Sequence, residues 1–254
     1  MQTKYPEEKV KQELIETARF KAAQDIAHRW FAFIDGDTED ISTHVEIFSD
    51  DVKLVHAGIH TLADNKSSLV HWLQSLPNET EAHFIREFDI VHLEGNMAEL
   101  SMRLSYQILS RDGTAGGALS EYKTRVRFDD KHNAVFTFLQ KTPQYANPDK
   151  VFKDSFPENR MYSFISHIQH LMLTSRQNEI SELLSSQDIN VEALSCIRLL
   201  QAASLTDDMT FENINISDLT FTLVLVVSHQ LCRLRFQLSE QAGRYLRIQS
   251  INID

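Results

Sequence analysis

From Ala98 to Ile108 every second residue is apolar: Ala98, Leu100, Met102, Leu104, Tyr106 and Ile108 alternate with Glu99, Ser101, Arg103, Ser105 and Gln107. A period of two gathers the apolar side chains on one face of an extended chain, which predicts an antiparallel strand buried on one side only. Tyr122, Thr124, Val126 and Phe128 alternate in the same way after a turn expected at Gly113, Gly116 and Gly117. Val135 to Lys141 closes the set after the turn at Asp129 to Asn133. Upstream the period is different. Ile15, Ala18, Ala22, Ile26, Trp30 and Phe33 recur at helical steps, and Gly36 with Asp37 ends the run. A short helix carrying Ile41, Val45 and Phe48 follows, then one capped by Asp64 that buries Leu69, Trp72 and Leu76 and stops at Pro77. Helices first and a meander afterwards define an α+β class.

The same order then repeats in shorter form. Met161, Phe164, Ile165, Ile168 and Leu171 make one helical face, and Val191 to Ala203 another. Strands are expected over 210–216, 219–227, 231–238 and 246–253. Between the halves, residues 143–158 hold three of the five prolines and little periodicity, a linker signature. The expected organisation is a domain over 1–142, a linker over 143–158 and a second, degenerate domain over 159–254. Repeated element order with little shared identity suggests duplication.

Charge and composition narrow the function. Lys and Arg total 25 against 36 Asp and Glu, a formal net charge of −11, which opposes binding to nucleic acid or an anionic membrane. Cys196 and Cys232 sit among apolar neighbours without Cys-x-x-Cys spacing, so buried, reduced thiols are expected. The charged stretch Met1 to Gln24 lacks the apolar core of a signal peptide. The longest apolar run, Leu219 to Val227, falls well short of the ~20 residues that span a bilayer. A cytoplasmic protein is expected. There is no phosphate-cradling glycine loop, no His-Glu-x-x-His and no Gly-x-Ser-x-Gly, and His167 with His170 lacks further ligands. Neither a metal nor a cofactor is expected.

Several segments together resemble the nuclear-transport-factor-2-like superfamily, in particular its SnoaL-like branch. They are Arg29-Trp30-Phe31-Ala32-Phe33-Ile34-Asp35-Gly36-Asp37, Ile47-Phe48-Ser49-Asp50-Asp51-Val52, His83-Phe84-Ile85, Leu93 to Ala98, and Arg127-Phe128-Asp129-Asp130. The likeness covers roughly residues 18 to 142. The second half is similar only in element order and in Leu246-Arg247-Ile248. The resemblance implies two tandem cone-shaped, cystatin-like α+β barrels. In each, N-terminal helices pack on a curved antiparallel sheet, with a pocket between them in the first. It does not imply one function, because the fold hosts isomerases, cyclases, dehydratases and non-enzymatic binding domains.

Candidate site residues follow from the same resemblance. His56, counted from the Phe-x-Asp-Asp motif, falls where ketosteroid isomerases carry their general-base aspartate. There it either moves a proton near neutral pH or lines the pocket without chemistry. The isomerase also needs a Tyr hydroxyl and a protonated acid. Trp30 and Thr124 stand at those positions, which speaks against that reaction. SnoaL-like dehydratases pair an Asp at the end of helix one with a His at the start of a strand, and Asp35 and His83 match these. The alternative is that Asp35 only ends the helix and His83 is an ordinary strand residue. Trp30, Phe33, Trp72, Tyr106, Tyr122 and Thr124 are expected to line an aromatic pocket suited to a small, flat, apolar ligand.

The first reading is therefore small-molecule binding. The alternatives are a dehydratase or isomerase that moves a proton on an apolar carbonyl compound through His56, His83 and Asp35, and a non-catalytic association module. The outer sheet face, with Arg103, Ser105, Gln107, Lys123, Arg125 and Arg127, is expected to be covered by the second domain or by a second copy, giving a pseudo-dimer or a homodimer.

Overall fold

The computed structural model of the protein describes residues 5–36, 41–77, 79–184, 191–203, 209–240 and 246–254. In chain order the first elements are helix α1 (Tyr5–Gly36), helix α2 (Ile41–His44), a 3-10 turn (Val45–Ile47), strands β1 (Phe48–His56) and β2 (His60–Ala63), and helix α3 (Lys66–Gln74). Four long strands follow: β3 (Glu81–Glu94), β4 (Met97–Leu109), β5 (Ala115–Phe128) and β6 (Ala134–Ala146). Then come α4 (Phe156–Leu173), a 3-10 segment (Gln177–Leu183) and α5 (Val191–Ala202). The chain ends with β7 (Thr210–Asn215), β8 (Thr220–Val227), β9 (Gln230–Glu240) and β10 (Leu246–Ile253). Two compact units result, Ala22–Ser163 in one and Met1–Lys21 with Phe164–Asp254 in the other. Residues 143–158 fall inside the first, where Pro143 to Ala146 finish β6 and Phe156 opens α4.

In the 22–163 unit the sheet runs β2-β1-β6-β5-β4-β3. The alternation read from the sequence sets its inner face: Leu100, Met102 and Leu104 of β4 and Tyr122, Val126 and Phe128 of β5 are all at most 4% exposed. Register shifts between Ile85 and Glu87, and between Arg125 and Val126, mark bulges that bend the sheet. Against it lies α1, whose Ala23, Ala27, Trp30, Phe31 and Phe33 join the same buried cluster. The small alanines let the helix approach closely, and the aromatic rings fill the space beyond. One pairing is non-sequential: β1 runs parallel to β6, with Leu54 opposite Leu139 and His56 opposite Lys141.

Several local details differ from the sequence expectations. Phe48 opens β1 instead of closing a helix, because its ring packs edge-on to Trp30 and against Phe136. Asn65, not Asp64, caps α3: its Oδ1 accepts from Ser68 N at 2.9 Å, completing a capping box. Gly116 and Gly117 are strand residues, and the turn before them is closed by Ser110 N donating to Thr114 O and Gly113 N to Ser110 O. Ser105 and Gln107 are buried, at 3% and 2% exposure, so they are not part of an open outer face. Asn147 Nδ2 donates to Ser105 Oγ and Gln107 Nε2 to the Val151 carbonyl, so the chain's own 147–153 segment covers this end of the sheet.

The other unit has a four-stranded antiparallel sheet ordered β10-β9-β8-β7. Phe221 and Phe236 stack with centroids 4.6 Å apart, and Leu223, Leu234 and Ile248 are fully buried around them. Leu184, just after the second 3-10 segment, forms a parallel bridge to Ile248 of β10. Cys196 and Cys232 are free thiols. His170 Nδ1 bonds the Ala18 carbonyl at 3.1 Å. Among the described residues, no helix is long and apolar enough to cross a membrane.

Candidate functional site

The last turn of α1 delivers Asp35 to the start of β3. A Cβ on Gly36 would come within 2.8 Å of the Phe156 ring, so glycine lets the beginning of α4 close down on the helix end. Asp35 and His83 are buried there, their side chains 0% and 2% exposed. His83 Nδ1 lies 2.6 Å from Asp35 Oδ1. Asp35 Oδ2 accepts from the His83 backbone N–H at 3.0 Å, from Ser155 Oγ at 2.6 Å and from Asn159 Nδ2 at 3.3 Å. Asn159 Nδ2 also donates to the His83 carbonyl at 2.9 Å. The carboxylate can only accept, so it fixes the proton on Nδ1 and leaves Nε2 as the ring nitrogen with no partner among the described residues. The ring is further held by Phe31, stacked at 5.2 Å, and by Tyr106 at 4.8 Å.

His83 lies on the wall of a cavity of about 180 Å³. Trp30 and Ile34 of α1, Leu54, Val55 and His56 of β1, and Leu62 of β2 also line it. Trp72 and Leu76 enter from α3 and the turn after it, and Glu81, Tyr122 and Lys141 from the long strands. Trp30 is 2% exposed and its Nε1 has no hydrogen-bond partner among the described residues. Tyr106 stands beside the cavity and donates its hydroxyl to Glu81 Oε1 at 2.9 Å. Burial and the nearby carboxylates of Glu81 and Asp35 hold that phenol protonated far above its usual range. Lys141 Nζ sits 4.1 Å above the Tyr106 ring centroid. Burial pushes its ammonium below the usual lysine range, with Glu81 and Asp35 opposing the shift. His56 is half-buried, and burial, the Lys141 charge and His60 all lower its pKa.

Of the residues read from the sequence, Trp30, His56, Trp72, His83 and Tyr122 lie on the cavity wall, and Asp35 stands behind His83. Phe33 and Thr124 lie elsewhere. Phe33 stacks on Trp30 at 6.0 Å, one turn further along the same face of α1, and packs on His44 of α2 at 4.5 Å. Thr124 lies deeper along β5 than Tyr122, closed between Leu100 and Leu139 on the neighbouring strands. Glu81, Lys141, Ser155 and Asn159 were not anticipated. Lys141 is in phase with buried Leu139, and Glu81 with His83, so strand alternation alone could have placed both inward. No local signal marks Ser155 and Asn159, whose partners are more than seventy residues away.

The network extends to His28, whose Nδ1 donates to Asn159 Oδ1 at 2.9 Å. Burial lowers the His28 pKa, outweighing the Asn159 bond and the Asp25 charge that raise it. In the unfolded chain the imidazole protonates at its ordinary value of about 6.5, while in the folded protein it stays neutral to lower pH. Between those two values the unfolded state binds more protons, so stability falls as pH drops below about 6.5. We expect the urea midpoint to be lower at pH 5.5 than at pH 7.5 (about one unit either side of that value). His28→Gln keeps a donor for Asn159 without a titrating ring, and should flatten the difference. An equal slope in the variant would assign it elsewhere.

No protein-family profile matches the sequence, and no curated protein does. Solved structures do. One is a hexachlorocyclohexane dehydrochlorinase, LinA-type3, from Novosphingobium barchaimii LL02, 14% identical, covering 54% of this chain and 94% of its own, with a TM-score of 0.47. Another is an NTF2-like protein with a cystatin-like fold from Novosphingobium aromaticivorans, 16% identical over 48% of this chain and 79% of its own, TM-score 0.41. A third is an NTF2-like protein of unknown function from Pseudomonas aeruginosa, 17% identical over 49% of this chain and 98% of its own, TM-score 0.39. The structural neighbours of the first half of the chain are NTF2-like proteins of cystatin-like fold.

Proposed function

We propose that the 22–163 unit binds a small, largely apolar carbonyl compound in its cavity and that His83 removes a proton from it. The observation that carries this reading is the His83–Asp35 pair. A buried carboxylate at 2.6 Å fixes the Nδ1 tautomer, and the other nitrogen is left to act as base at a cavity wall. Proton transfer from the carbon next to the carbonyl leaves its electron pair as an enolate. Return of that proton to another carbon is isomerisation. Its delivery to a β-hydroxyl, which departs as water, is dehydration, and either outcome restores neutral His83. His56, half-buried on the same cavity wall, is the residue we assign to exchanging the proton with solvent. Size limits the compound: an apolar cavity of about 150 Å³ holds benzene, so about 180 Å³ holds one ring with a short substituent.

The test uses cyclohexanone in D2O. Wild-type protein should accelerate exchange of the ketone's α-hydrogens, and His83→Gln should lower the rate by about 10²- to 10⁴-fold, the usual worth of a positioned base. Exchange at equal rates in both proteins, with cyclohexanone bound, would leave a ligand-binding domain without chemistry.

We also infer that the other unit is a shortened copy of the same fold. The parallel bridge of Leu184 to Ile248 supports this, because it joins the chain after the first helices to the last strand, as β1 joins β6. The element order, helix, bridge, helix and four-strand meander, is also the same.

A further inference from the structure

We infer that Lys141 is the anchor for the ligand's carbonyl oxygen, so that the site selects a neutral ketone or aldehyde over a hydrocarbon of the same shape. This rests on the cavity proposed above as the binding site. Lys141 is the one Lys or Arg among the lining residues, and its Nζ makes no hydrogen bond or ion pair with any described residue. It lies over the face of Tyr106, 4.1 Å from the ring centroid, an attraction that positions a cation without using its N–H donors. Glu81, whose charge acts on Lys141, accepts the Tyr106 hydroxyl at Oε1 at 2.9 Å and makes no ion pair with Lys141. The ammonium thus keeps its N–H donors for a cavity whose other walls are mostly apolar: Trp30, Ile34, Leu54, Leu62 and Trp72. Lys141 is half-buried, so water is only partly available to these donors and a ligand oxygen would satisfy them.

The neighbouring charges choose between oxygens. Asp35 and Glu81 both bear on Lys141 electrostatically, so a carboxylate ligand would add a third negative charge to the same few ångströms. A neutral carbonyl brings the acceptor without that repulsion. Tyr106 touches both Lys141 and the His83 ring, so a one-ring compound held by its oxygen at Lys141 spans the floor toward the base. An enolate formed there would place its new negative charge beside the ammonium, which makes the anchor stronger in the transition state than in the ground state.

Cyclohexanone and methylenecyclohexane differ only by oxygen against CH2 and test the anchor directly. Binding is read from the two indole N–H signals of the chain, since Trp30 and Trp72 both line the cavity. Lys141→Met should weaken cyclohexanone about tenfold, in line with loss of a charged hydrogen bond, and leave methylenecyclohexane within about twofold. Lys141→Gln, which keeps one amide donor, should retain part of the ketone preference and guards against a folding defect in the methionine variant. Equal changes for both ligands, or no change for either, would overturn the proposal. The base reading fails separately: loss of ketone preference in Lys141→Met, with no catalysed deuterium exchange in wild type, would keep the anchor and discard His83 as base.

Discussion

Asp35→Ala should destabilise the protein by about 3–5 kcal/mol, the cost of removing one partner from a buried charged network. The carboxylate accepts four hydrogen bonds, from His83 Nδ1, His83 N, Ser155 Oγ and Asn159 Nδ2. Alanine takes the acceptor from His83 Nδ1 and Ser155 Oγ in a site where both side chains of the central pair are at most 2% exposed, while His83 N keeps Ser155 Oγ and Asn159 Nδ2 keeps the His83 carbonyl. Asp35→Asn separates the charge from the shape. Its single oxygen can serve either His83 Nδ1 or the other three donors, and its NH2 then opposes whichever side it faces. About half the alanine effect is expected, together with loss of the fixed His83 tautomer. Urea unfolding followed by circular dichroism reads the first effect, and imidazole nitrogen shifts read the second. An alanine variant within about 1 kcal/mol of wild type, the range of an ordinary surface change, would mean the network is not buried as described.

Gly117→Ala should be of similar severity for a different reason. Gly117 has φ +122°, and a Cβ there would lie 2.2 Å from the Tyr106 carbonyl oxygen and 2.9 Å from its carbonyl carbon. Backbone atoms of a central strand cannot yield as a side-chain tip would, so the pairing of Gln107 with Gly117 must open. Strain of this kind costs about 1–3 kcal/mol, and the overpacking a further 1–3. The damage is local to the strand that carries Tyr106, so the variant should also lose cyclohexanone binding in whatever fraction remains folded. Gly113→Ala is the control: its φ is also positive, at +83°, but no atom lies within 4 Å of the added carbon. Alanine at Gly117 costing no more than alanine at Gly113 would remove the close-approach argument.

Much of the fold was legible because hydrophobic period follows burial along most of each element. Alternation from Ala98 to Leu104 is the inner face of β4, beyond which Ser105 and Gln107 of the other phase are buried, and the helical repeat through Trp30 is the buried stripe of α1. The site was legible only in pieces. Asp35 and His83 drew notice through a resemblance, and the cavity shows why the pairing was accessible: each sits at the end of an element whose course the pattern already defines. Lys141 was passed over because a lysine at the end of a strand reads as solvent-facing, although its phase with Leu139 placed it inward. Ser155 and Asn159 were hidden for a stronger reason. They lie around a Pro-rich stretch without periodicity, and that composition describes how the chain bends but carries nothing about what it bends toward.

The parallel pairing of β1 with β6 also sets when this site can come into being. His56 leaves the ribosome long before Lys141, its neighbour across that ladder, and Asn159 follows later still. In a nascent chain that ends short of β6, β1 has only the short β2 to pair with, so its inward residues, among them Val52 and Leu54, cannot join the long strands while synthesis continues. Such long-range closure slows folding and prolongs exposure of apolar strand faces. For this protein the cavity cannot close until Lys141 has been made, and a stall between residues 56 and 141 leaves β1 without its partner β6.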